Sequence, residues 1–153
     1  MNKTGKITYF LVSLIFFIIC DLYFSNLLIN TDLKVFENSL FDLVNVSNTG
    51  AAFSILENYP FLLVLFAVFA ILMIVVYGVL NIEKFSAVAC FWAALLTSGI
   101  SCNLYERIVF GHVRDFINLK FIDFPVFNIS DIFITVSVAA LIILIIKNKY
   151  LKK

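Results

Sequence analysis

The chain has 153 residues, of which 63% are hydrophobic and only 14% charged, with a formal net charge of +1 and a mean hydropathy of +1.06. That leaves too little polar surface for a soluble domain, so the chain is a membrane protein. It contains no basic tract of the kind that binds nucleic acid, no internal repeat and no low-complexity linker.

The first predicted element is a spanning helix over about 7–29. Its uncharged run from Ile7 to Cys20 follows Lys3 and Lys6, an order that could mimic a lipoprotein signal peptide. Ile19 is too large for the small residue that such processing requires before the cysteine, so the segment is read as a retained helix. Asp21 interrupts the run roughly 21 Å beyond Ile7 at about 1.5 Å per residue. Residues 30–57, "NTDLKVFENSLFDLVNVSNTGAAFSILE", alternate imperfectly and contain Val and Phe, which predicts short strands. "SNTG" is a turn signal, in which Gly50 supplies a left-handed or tight backbone. Ala51 and Ala52 leave room for another chain, and Phe53 can dip into lipid. A plain hairpin lying on the membrane surface fits this segment equally well.

The charge-free stretches Asn58–Ile82 and Phe85–Leu104 predict spanning helices over about 59–81 and 85–104, with an outer segment over 105–130. Where the apolar helix passes into that segment, Asn103 and Arg107 share one helical face at a spacing of four. Asp115, taken singly, reads as a solvated ion pair with Arg114. His112 has no metal-ligand companion in the sequence. A fourth span follows over about 131–147. Fifteen uncharged residues separate Asp131 from Lys147, about 22 Å of helix against a hydrocarbon core of about 30 Å. Asp131 therefore lies within the slab or at its edge, where a carboxylate is costly and tends to be paired or functional. Asp21 reaches a similar depth.

Lys3, Lys6, Lys84, Lys147, Lys149, Lys152 and Lys153 fall on one side of a four-helix arrangement, seven of the eleven Lys and Arg residues. Both termini are thus expected in the cytoplasm, with the segments about 30–58 and 105–130 outside. Cys20, Cys90 and Cys102 lack disulfide or metal spacing and read as buried, inert thiols.

Together the short motifs resemble those of lipoprotein signal peptidases, the signal peptidase II family of bacterial intramembrane aspartyl proteases. Asp21 begins the first-helix motif, and "NTGAAF", Asn48 to Phe53, matches N-x-G-x-A-F. Gly99 with "NLYER", Asn103 to Arg107, is similar to G-x-x-x-N-x-x-D-R. "VRDF" and "FNISD" resemble V-x-D-F and F-N-x-A-D. The resemblance makes Asp115 and Asp131 the catalytic aspartates, with Asp21, Asn48, Gly50, Asn103, Arg107 and Asn128 binding substrate or orienting the site. Four positions depart from the pattern: Ser25 stands for Lys, Cys102 for Gly, Glu106 for Asp and Ser130 for Ala.

The fold implied is an all-α four-helix transmembrane bundle with a small outward-facing β-sheet and a short outer helix, in a single domain over 1–153. The activity implied is removal of the signal peptide from diacylglyceryl-modified prolipoproteins, cut before the lipidated cysteine at the outer face of the bacterial cytoplasmic membrane. The expected partners are that precursor and membrane phospholipids, the expected state is a monomer, and no metal or organic cofactor is implied. Intramembrane carboxylates equally mark ion paths, so a small proton-coupled transporter and a non-catalytic scaffold are the competing readings.

Overall fold

A computed structural model describes residues 1–30, 39–51 and 55–147. Four helices carry the fold: α1 (Lys3–Asn30), α2 (Pro60–Asn81), α3 (Ala87–Phe110) and α4 (Ile129–Ile146). All four are long and apolar enough to cross a membrane. Two strands, β1 (Phe41–Asn48) and β2 (Val113–Leu119), pair antiparallel into a small sheet. The short outer helix is not among the described residues, and Ala52, Phe53, Lys34 and the three lysines after Lys147 also lie outside them.

Local chemistry sets the helix ends. Pro60 occupies the first turn of α2, where its missing N–H costs nothing. Ser86 caps α3 by accepting the Ala89 N–H at 3.1 Å. Gly111, at φ +79°, ends α3 in the left-handed region and donates its N–H to the Arg107 carbonyl. At the start of α4, Asn128 and Asp131 form a reciprocal capping box.

The helix α3 runs on to Phe110, past the Leu104 at which the charge-free stretch ends. Asn103, Glu106 and Arg107 do not end the helix because their polar groups turn inward to partners described below. α3 is the central helix, with ten buried residues against four on α1, two on α4 and none on α2. Many of these buried side chains are small, such as Ala94, Ser98 and Ser137. This is how helices approach closely where lipid removes any hydrophobic drive to associate. At Gly99 the approach is tightest: an added Cβ would lie 2.6 Å from the Ser130 carbonyl oxygen and 2.9 Å from Ile134 Cγ1. Cys90 and Cys102 are buried as expected, whereas Cys20 is half-buried.

At the end of the bundle that carries the start of α1 and the end of α4, Lys6 is buried. Its ammonium donates to the carbonyls of Ile82 at 2.9 Å and Glu83 at 2.8 Å, where α2 runs out of helical donors. Ile82, Phe85, Ala89 and Cys90 form a small apolar core there. The sheet lies at the opposite end. In its register Val46 faces Asp115 and Asn48 faces Val113, with an irregularity between Leu43 and Val46. Phe127 bridges to Ile117 on the other side of β2, which carries the chain straight into the cap of α4.

Candidate active site

β2 brings Asp115 to the bundle. Successive residues of a strand point to opposite faces, so Val113 and Asp115 turn into a cavity of about 620 Å³ while Arg114 turns away. The expected Arg114–Asp115 ion pair is therefore not formed. Arg114 instead grips the buried Glu106: its Nε donates to Oε1 at 2.9 Å, its Nη2 to the same oxygen, and its backbone N–H to Oε2 at 2.7 Å. The guanidinium also sits 4.5 Å from the Phe110 ring centroid and donates to Asn26 of α1 at 3.3 Å. Removed from that competition, Asp115 is 2% exposed. Burial pushes its carboxyl up to about 6, helped by the nearby Asp131 charge and opposed by hydrogen bonds from Asn48 and Asn128 and by the Arg107 charge.

Asparagines hold both carboxylates. Asn128 donates through Nδ2 to Asp115 Oδ1 at 2.8 Å and to Asn103 Oδ1 at 3.1 Å. Its own side-chain oxygen accepts the Asp131 N–H at 2.9 Å, and its backbone N–H donates to Asp131 Oδ2 at 3.2 Å. Asn103 supplies the other Asp131 oxygen, donating to Oδ1 at 2.8 Å. Asn48 does the same for Asp115 Oδ2 at 2.9 Å. All four carboxylate oxygens thus accept one N–H each, which leaves each a second lone pair for a proton, a water or a ligand.

The turn after β1 closes one side. Asn48 Oδ1 accepts the Gly50 N–H at 2.9 Å, an Asx turn, and Arg107 Nη2 donates to the Gly50 carbonyl at 2.8 Å. Arg107 Nη1 reaches the Asn103 carbonyl one turn back at 3.3 Å, while its buried Nε has no partner among the described residues. The structure therefore unites Asp115, Asp131, Asn48, Gly50, Asn103, Arg107 and Asn128.

Asp21 stands apart. It is buried in α1 and accepts a hydrogen bond from Ser130 Oγ at 2.9 Å. Ser130 immediately precedes Asp131, so Asp21 reaches the site through the first turn of α4. Three contributors went unseen in the sequence: Glu106 as the Arg114 anchor, Ser130 as the Asp21 donor, and the wall formed by Leu119, Ile122, Phe124, Pro125 and Val126. The last was legible in principle, because "FIDFPVF" sets large apolar residues around a proline beside a membrane helix.

Residues 13–147 match the family Signal peptidase (SPase) II. The chain belongs to the signal peptidase II family. It is 34% identical to a lipoprotein signal peptidase of Streptococcus thermophilus (strain CNRZ 1066) over 125 residues, 82% of this chain and 80% of the relative. Against a lipoprotein signal peptidase of Pseudomonas putida (strain KT2440) it is also 34% identical, over 97% of this chain and 92% of that one. A bacterial membrane enzyme solved by the in meso method at 2.3 Å superposes with a TM-score of 0.80 at 25% identity, covering 94% and 93% of the two chains. Membership makes this signal peptidase II relative an aspartic-type signal peptidase of the bacterial inner membrane, crossing it several times. It does not favour the transporter or scaffold readings.

Proposed function

We propose that this chain cleaves diacylglyceryl-modified prolipoproteins just before the lipid-bearing cysteine, with Asp115 and Asp131 acting as one catalytic unit. The observation that carries this reading is the pair of carboxylates held through a single asparagine, Asn128, whose amide donates to Asp115 and whose backbone N–H donates to Asp131, at the wall of a largely apolar cavity. Peptide hydrolysis by two carboxylates requires one to be ionised and the other protonated. Poor solvation and like-charge repulsion produce that inequality, and the pair titrates as a unit.

In this mechanism the ionised carboxylate takes a proton from a water molecule as its oxygen attacks the scissile carbonyl. The protonated carboxyl donates to the carbonyl oxygen as it becomes tetrahedral. Collapse of that intermediate expels the new amine of the lipidated cysteine, which takes a proton from the dyad. Arg107 and the asparagines orient the carboxylates and suit substrate carbonyl oxygens or a lipid phosphate. The apolar wall from Ile122 to Val126 suits acyl chains.

The same reading places both termini in the cytoplasm and the dyad near the outer face, because the lysines gather at the termini. Membrane phospholipids surround a monomer in it. The test is incubation of the purified protein with one precursor in lipidated and unlipidated form, followed on a gel. Cleavage of the lipidated form alone is expected. No cleavage, or equal cleavage of both, would sink the proposal.

A further inference from the structure

A second cavity, of about 350 Å³, lies at the end of the bundle opposite the two aspartates. All four helices contribute to it, through Ile7 and Phe10 of α1, Gly78 of α2, Ala89 of α3 and Ile145 of α4, and no polar atom faces it. Gly78 leaves one part of its wall without a side chain. Glycine is the costliest ordinary residue in a helix interior, yet here an added Cβ would meet nothing within 4 Å. α2 buries none of its residues, so the hollow between it and its neighbours faces hydrocarbon, not water.

Three lysines flank the lining residues of this hollow along the chain. Lys84 lies between the lining residues Ile82 and Phe85, Lys147 two residues beyond Ile145, and Lys3 one turn before Ile7. All three are exposed, and Lys84 donates to Asn81 Oδ1 at 3.1 Å, an exposed partner that a headgroup can replace. Lys6 is not available, because its ammonium is spent on the carbonyls at the end of α2. Among the described residues Glu83 is the exposed acid at this end, and set against the three lysines it leaves them net positive.

We propose that this hollow is a binding site for one anionic phospholipid, with an acyl chain against Gly78 and the phosphate among Lys3, Lys84 and Lys147. Charge selects this occupant. A signal peptide brings a positive segment to the same membrane face and would be repelled, as would the matching lysines of a second copy. A zwitterionic lipid fits the hollow but gains less from the lysines. Each lysine near an anionic headgroup is worth about fivefold in affinity.

Native mass spectrometry of the full chain, released from micelles containing equal amounts of phosphatidylglycerol and phosphatidylcholine, tests this. The wild type should retain one phosphatidylglycerol at least about tenfold in preference to phosphatidylcholine. Lys84→Gln with Lys147→Gln should erase most of that preference. Gly78→Phe, which fills the hollow from its open side, should retain neither lipid yet still cleave precursor, cleavage serving as the check on folding. Equal retention of the two lipids by the wild type would overturn the proposal, and so would an unchanged preference in the lysine double variant. A Gly78→Phe protein that keeps its lipid but binds precursor more weakly would give the hollow to the signal peptide instead. If Gly78→Phe does not fold, the lysine double variant, changed only at exposed positions, decides alone.

Discussion

Asn128 does two jobs that substitution can separate. Its side-chain oxygen caps α4, and its amide joins Asp115 to Asn103. Asn128→Ala removes both functions. Asn128→Ser keeps a good cap but loses the amide donors. Loss of a cap costs about 1 kcal/mol, and each buried acceptor left without its donor adds about 1–3 kcal/mol. Asn128→Ala should therefore be destabilised by about 1 kcal/mol more than Asn128→Ser, read from unfolding in detergent. Cleavage should behave differently. A hydrogen bond to a charged group is worth about 1.5–3 kcal/mol, so losing the Asp115 contact should slow single-turnover cleavage roughly 10- to 150-fold in both variants. Asn128→Asp keeps the cap but sets a third carboxylate against the pair, and should be as slow or slower. Cleavage by Asn128→Ser within about threefold of wild type would refute the claim that this amide organises the site.

Gly99→Ala should push α4 off α3, because its Cβ would meet the Ser130 carbonyl at 2.6 Å. A loss of about 1–3 kcal/mol, accompanied by slower cleavage as the Asn103–Asp131 contact lengthens, is expected in paired unfolding and turnover assays. Asp115 has its carboxyl near 6 in the folded protein against an ordinary 3.8. Its contribution to stability is thus complete only well below about pH 4 and is lost as the pH rises through 6. The unfolding free-energy difference between wild type and Asp115→Asn should change by about 2 kcal/mol from pH 4 to pH 7, and a flat difference would contradict the assigned burial. Ser130→Ala and Asp21→Ala should each destabilise, and the double variant by less than their sum, since both remove one hydrogen bond. Ser25→Ala should be milder than Asp21→Ala; strict additivity or equal loss would remove Asp21 from its structural role.

The four long helices were legible because bilayer thickness imposes a long run without charge. The partners of Asn103 and Arg107 were not, because Asp131 and Gly50 lie 28 and 57 positions away, contacts that local pattern does not encode. Arg114 and Asp115 were paired by adjacency, whereas the pleat of β2 separates them and gives Arg114 to Glu106. The motif residues were legible through resemblance. Their hydrogen-bond roles were not, because three asparagines are chemically interchangeable until the fold assigns each an oxygen. Ser130 and Glu106, two of the departures from the family pattern, proved to be partners of Asp21 and Arg114.

The central claim is that Asp115 and Asp131 are one catalytic unit, and single-turnover cleavage of a lipidated prolipoprotein tests it most directly. Asn is nearly isosteric with Asp but can neither act as a carboxylate base nor share the proton. At matched concentrations of folded protein, Asp115→Asn, Asp131→Asn and the double variant should all be inactive to a similar degree, since effects within such a unit are strongly non-additive. Asp123→Asn, at an exposed position outside the cavity lining, should retain most of the activity. Substantial cleavage by either single dyad variant would contradict the account and remove that aspartate from the chemistry.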